Sequence, residues 1–138
     1  MKADTARLAL AVSLNWIRSS WLIRFRRPSS YLEKLLAPPA GAKTAGQCHS
    51  LNPEDWRIVR KVIRLTLRLT PLILKRHRCL LQSMIALYVL RSRDIPCRLH
   101  LGVHKDMNTA RAHAWLEVED RNVIGGHSGE YKEVIRTR

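Results

Sequence analysis

A cysteine attacks carbonyl carbon as its thiolate, and two local features favour that form: the unpaired backbone amides of a helix N-terminus, and neighbouring cations. Cys79 has both. It follows Lys75, Arg76, His77 and Arg78 and heads an apolar run through Leu80, Leu81, Met84, Ile85, Leu87, Tyr88 and Leu90 that reads as a helix to about Arg91. A thiolate nucleophile also needs a base within hydrogen-bonding reach. His113 is the candidate: Ala112 and Ala114 leave room around it, and Trp115, two residues on and on the same strand face, can wall the imidazole from water. His77, His100 and His104 compete for the role. The three cysteines, Cys48, Cys79 and Cys97, are odd in number, form no C-x-x-C, and are joined by no helical H-x-x-x-H pair. Neither a disulfide framework, a bound metal nor a cofactor is expected.

The elements that must position this pair follow from periodicity. A first helix is predicted from about Asp4 or Thr5 to Arg26, with Leu10, Leu14, Ile17, Trp21 and Phe25 down one face, and Pro28 ends it. A short helical piece at Tyr31–Leu36 leads into an aperiodic stretch, 37–51, that reads as linker or ordered loop. Asn52 suits an N-cap, Pro53 the first helical position, and Glu54 and Asp55 the positive end of the dipole. Along that helix Trp56, Val59, Val62 or Ile63, Thr66 and Leu69 face inward. Thr70-Pro71 breaks it before the Cys79 helix. Beyond Pro96 the pattern alternates: Cys97, Leu99, Leu101 and Val103 fall on one strand face, and Arg98, His100, Gly102 and His104 on the other. After a loop at Lys105–Asn108, Ala112–Val118 reads as a second strand, Glu119–Asn122 as a tight turn, Val123-Ile124 as a third strand, and Glu133–Ile135 as a fourth. The expected fold class is α+β: N-terminal helices, then a small antiparallel sheet packed on a central helix beginning at Cys79. Residues 1–138 make one domain, with an N-terminal helical part (1–36) and a core (52–138).

Charge is the unusual bulk property. Lys and Arg number 25 against 11 Asp and Glu, a formal net charge of +14, which draws acidic partners. Arg57, Arg60, Lys61, Arg64 and Arg68 recur at helical spacing opposite the apolar face, either a solvated ridge or a strip for an acidic partner. The charge and four Trp would also suit a nucleic-acid-binding module, which leaves Cys79 and the His113 strand unexplained. The apolar run Leu8–Ile17 has no A-x-A-like cleavage site, and Asn15, Arg18 and Arg24 interrupt it short of the ~20 residues of a membrane span. The chain reads as cytoplasmic, with membrane contact through the first helix left open.

The runs Cys79–Tyr88, Asp94–Val103 and Ala112–Val118, in this order and near this spacing, resemble the transglutaminase-like peptidases of lasso-peptide biosynthesis. The resemblance spans essentially the whole chain. It implies a papain-like or transglutaminase-like core with Cys79 as nucleophile and His113 as base. It further implies removal of the leader from a ribosomally made precursor peptide, with a separate leader-recognition protein delivering the substrate and an asparagine-synthetase-like cyclase closing a lactam on the product; nucleic acid is not an expected partner. The same Cys-His pair could instead serve acyl transfer. Such families place a third, acidic member about a dozen residues after the histidine, where this chain reads Val123-Ile124-Gly125-Gly126. Asp120 is the acid retained for that place; a backbone carbonyl, Glu130 or no third member are the alternatives, while Glu117, on the His113 face, lies roughly 13 Å along the strand.

Overall fold

The computed structural model describes residues 2–26, 50–70, 78–105, 110–126 and 132–136. The expected helix at Tyr31–Leu36, most of the 37–51 stretch, Lys75 to His77 and the Asp106–Asn108 loop lie outside them. The described elements are α1 (Lys2–Phe25), α2 (Pro53–Leu69), α3 (Arg78–Arg91), β1 (Arg98–Lys105), β2 (Ala110–Val118), β3 (Arg121–Ile124) and β4 (Lys132–Arg136). The strands form one antiparallel sheet in the order β3-β2-β1-β4. The α+β plan read from the sequence is the architecture observed.

α3 is the centre. Leu81 to Leu87, Val89 and Leu90 are buried along it, so its apolar circumference is covered by α1, α2 and the sheet. Each buried Leu, Ile, Val or Met among them contributes about 1.5–3 kcal/mol over its exposed state. α2 starts as its residues dictate: the Asn52 side chain accepts from the Asp55 N–H at 2.8 Å, and Pro53 opens the helix. Val59, Val62 and Thr66 face the core, Trp56 is half-buried, and Leu69, expected inward, is exposed at the helix end.

α1 differs from the stripe its period suggested. Leu8, Val12 and Ser19 are the residues it buries, whereas Leu10, Leu14, Ile17, Trp21 and Phe25 point to solvent. The helix has two apolar faces, and the one carrying small Ala11 and Ser19 permits close approach to α2 and α3.

The hairpin between β2 and β3 turns through Glu119 and Asp120, with φ of 48° and 60°. Positive φ at both central residues matches the right-handed strand twist, and a short acidic side chain such as Asp tolerates it. Glu119 also ties this hairpin to the helices: its carboxylate accepts from the Leu51 N–H and, at 3.0 Å, from Trp56 Nε1.

Candidate active site

Cys79 is the second residue of α3, in the turn whose N–H groups have no intrahelical acceptor. It is a free thiol, half-buried, packed against the edge of the core. Cys97, just before β1, differs in chemistry: burial pushes its thiol up to about 12, against the opposing pull of Arg91. Cys97 therefore remains a neutral thiol near pH 7 and is a poor nucleophile. Cys48 lies outside the described residues.

α3 runs beside β2 in the same direction. Ser83 Oγ lies 3.5 Å from the Ala114 carbonyl oxygen. The short connection after α3 then delivers the chain to Arg98, which pairs with Glu117, so the C-terminal end of α3 lies toward Glu117 and its N-terminal end toward Ala112 and His113. Cys79 is one turn before Ser83, about 6 Å of helix rise, and His113 is one residue before Ala114. The two residues thus occupy the same end of the α3–β2 contact. Ala114, Leu116 and Val118 enter the core, so the His113 Cβ leaves from the other face, with Trp115 and Glu117. β3 pairs with β2 at Leu116, Glu117 and Val118, and the chain continues past β3 with Gly125 close against Ala114 and Trp115.

The partner of His113 is a backbone group. Its Nε2 lies 2.5 Å from the Gly125 carbonyl oxygen. A carbonyl only accepts, so Nε2 carries the proton and, in the neutral ring, Nδ1 is the nitrogen with the lone pair. Gly125 stands where a triad acid was sought. Its φ is 106°, and a Cβ there would sit 2.6 Å from the Ala114 carbonyl oxygen and 2.7 Å from the Trp115 Cβ. Only glycine lets the chain leave β3 this close to β2, and that approach puts the carbonyl on the imidazole. An open cleft of about 460 Å³ adjoins it, lined by Leu67 and by Asn122 to Gly126.

Asp120 is not brought to this site. It occupies the hairpin turn, roughly 17 Å of strand from His113, with its carboxylate 3.3 Å from Arg98 Nη1. The tight two-residue turn is what carries it to the far end of β2. Glu130 lies outside the described residues. Glu117 is engaged through both oxygens, Oε1 accepting from Trp115 Nε1 at 3.2 Å and Oε2 lying 2.9 Å from His100 Nε2. Trp115 is thereby held between two imidazoles, with ring centroids 5.2 Å from His100 and 6.0 Å from His113. It covers His113 as expected from the spacing. The burial of His100 was not legible, because strand alternation assigned it to the outer face without the Trp115–Glu117 cover.

Of the other histidines weighed, His104 is half-buried near the end of β1 and His77 lies outside the described residues. Gln82, one turn past Cys79, gives its amide to Thr70 Oγ1 at 2.9 Å and ties α3 to the end of α2. Arg57, Arg60, Arg64 and Arg68 are exposed along α2 and Lys61 is half-buried, so the basic ridge is present, on the helix face away from the core. Among the described residues no group of three or more His, Cys, Asp or Glu is arranged to hold a metal ion, and no helix is long and apolar enough to cross a membrane.

A family model described as the transglutaminase-like superfamily matches residues 17–136. The chain belongs to the transglutaminase-like superfamily. The matched region contains α2, α3 and all four strands, and with them Cys79, His113 and Gly125; it begins within α1. Members of the superfamily are typically cysteine peptidases or acyltransferases, which is the chemistry a helix-end thiol and a strand imidazole suit. Neither a curated protein nor a solved structure matches the chain.

Proposed function

We propose that this protein is a cysteine peptidase that removes the leader from a ribosomally synthesised lasso-peptide precursor. The observation that supports this reading is the His113 Nε2–Gly125 carbonyl bond, which puts the proton on Nε2 and the lone pair on Nδ1, on the strand whose Ala114 carbonyl lies 3.5 Å from Ser83 of the Cys79 helix. In this reading the thiol and the imidazole meet at the end of β2 beyond its pairing with β3. Nδ1 takes the Cys79 proton, and the thiolate adds to the carbonyl carbon of the last leader residue. The resulting oxyanion is met by N–H groups of the first turn of α3, including that of Cys79. The imidazolium gives its proton to the departing amine of the core peptide, leaving the leader as a thioester on Cys79. Water, deprotonated by Nδ1, then hydrolyses the thioester. Among the described residues no carboxylate reaches His113, so in this reading the site works as a dyad with a neutral orienting acceptor.

The substrate assignment rests on the resemblance of the Cys79, Asp94–Val103 and Ala112–Val118 runs. A leader-recognition protein delivering the precursor, and a cyclase consuming the freed amine, are the partners it implies. Acyl transfer to an amine instead of water is the second reading, favoured by the superfamily's range, and product masses separate an acid from an amine adduct. The test is incubation of the protein with a neighbouring precursor peptide and its leader-recognition partner. Wild type is expected to release the leader, while Cys79→Ala and His113→Ala, each folded by circular dichroism, are expected to lose cleavage by at least about a thousandfold. Undiminished cleavage by either variant removes the dyad.

A further inference from the structure

Among the described residues, no helix or strand packs on the outer face of α1. Leu10, Leu14, Ile17, Trp21 and Phe25 are each between 50% and 65% exposed. They form one line about 22 Å long on a convex helix surface. A monomeric soluble domain rarely leaves so regular an apolar row uncovered.

The charges beside that row are basic on both flanks. At 100° per residue Arg7 stands along one flank and Arg24 along the other, while Arg18, beyond Arg7, lays its guanidinium over the Tyr88 ring of α3 at 4.8 Å. The Arg26 guanidinium lies 5.6 Å from the centre of the Trp21 ring. The basic face of α2 adjoins the row, since Ala6 and Ala9 of α1 line a surface hollow together with Arg57 and Lys61. The acids lining that hollow are Asp4, at the helix start, and Glu54, which is paired with Arg57 at 3.2 Å.

We infer that α1 is an interfacial helix that lies on an anionic lipid surface, with the Leu10–Phe25 row in the acyl boundary and the flanking arginines on the headgroups. Large apolar and aromatic side chains in one row, bordered by arginines whose stems reach toward headgroups, are what such binding requires. No described helix is long and apolar enough to cross a bilayer, which limits the contact to lying on it. A second copy of the chain is a poor occupant, because pairing the rows would bring their arginines together in a protein already carrying +14. An acidic polypeptide would satisfy the arginines but leave a convex apolar row without a groove. The inference is independent of the catalytic reading, because Cys79 and His113 are not on this face.

The experiment is sedimentation of the full chain with vesicles of equal parts phosphatidylcholine and phosphatidylglycerol, and with phosphatidylcholine alone. Wild type and Cys79→Ala are expected to bind the anionic vesicles and not the neutral ones. Ile17→Asp combined with Trp21→Asp, at exposed positions that leave the melting curve in place, is expected to bind roughly a hundredfold more weakly. Acyl chains brominated near the headgroup are expected to quench wild-type fluorescence more than that of Trp21→Phe. Failure of wild type to bind anionic vesicles overturns the inference. So does wild-type binding by the double variant, which would mean adsorption by charge alone, or loss in that variant of a dimer formed without vesicles.

Discussion

At Gly125 a carbonyl oxygen occupies the place where a triad would carry a carboxylate, and the difference is one of charge. A neutral acceptor orients the His113 ring and sets its tautomer, but adds none of the ionic stabilisation that a carboxylate gives an imidazolium. Its position depends on Gly125 having no side chain, because a Cβ would meet Ala114 and Trp115 backbone and side-chain atoms at under 3 Å. Gly125→Ala is therefore expected to displace the carbonyl and lower the cleavage rate about a hundredfold. Gly126→Ala is the control: with φ of 68° and open space around it, it should cost about 1 kcal/mol of stability and leave the rate near wild type. Single-turnover cleavage and thermal melts of the two variants measure this. Cys79 and His113 could be picked out from residue type, helix end and strand setting. For the third place the sequence leaves a backbone carbonyl open as an alternative but does not single out that of Gly125, since a backbone acceptor has no side-chain signature; its nearest signal is the Gly125-Gly126 pair ending an apolar strand a dozen residues after His113. Asp120, the acid retained for the third place, sits in the positive-φ turn at the far end of β2, with its carboxylate 3.3 Å from Arg98 Nη1.

The helices and strands differ in how plainly their sequences declare them. α2 carries its cap, its proline and its acidic first turn in sequence, and α3 is apolar on every side, so its central position follows. α1 shows why period alone falls short: both of its faces repeat at helical spacing, and only packing against α2 and α3 selects the face carrying Leu8, Val12 and Ser19. The tie between sheet and helices was equally invisible, because it joins Glu119 to Leu51 and Trp56 across a long stretch of chain. Removing that carboxylate leaves a backbone N–H and an indole N–H without their acceptor. Glu119→Ala is expected to lower stability by about 1–3 kcal/mol, with Glu119→Gln recovering part of it; urea unfolding of the three proteins checks the order.

Across the whole molecule, three regions are separated in space. α3 packs on the sheet beside β2, the β2–β3 hairpin is anchored by Glu119, and α1 and α2 present an apolar row and a basic ridge on their outer faces. The transglutaminase-like match spans α2, α3 and all four strands, in a superfamily whose members are typically cysteine peptidases or acyltransferases. The central claim is that the acyl group passes through the Cys79 sulfur. Acid quenching during turnover of the precursor, followed by intact-protein and peptide mass spectrometry, tests it directly. A leader-mass thioester on the peptide containing Cys79, absent from Cys79→Ala, is the expected result; an adduct on Cys97 or Cys48, or cleavage that continues in Cys79→Ala, would contradict it.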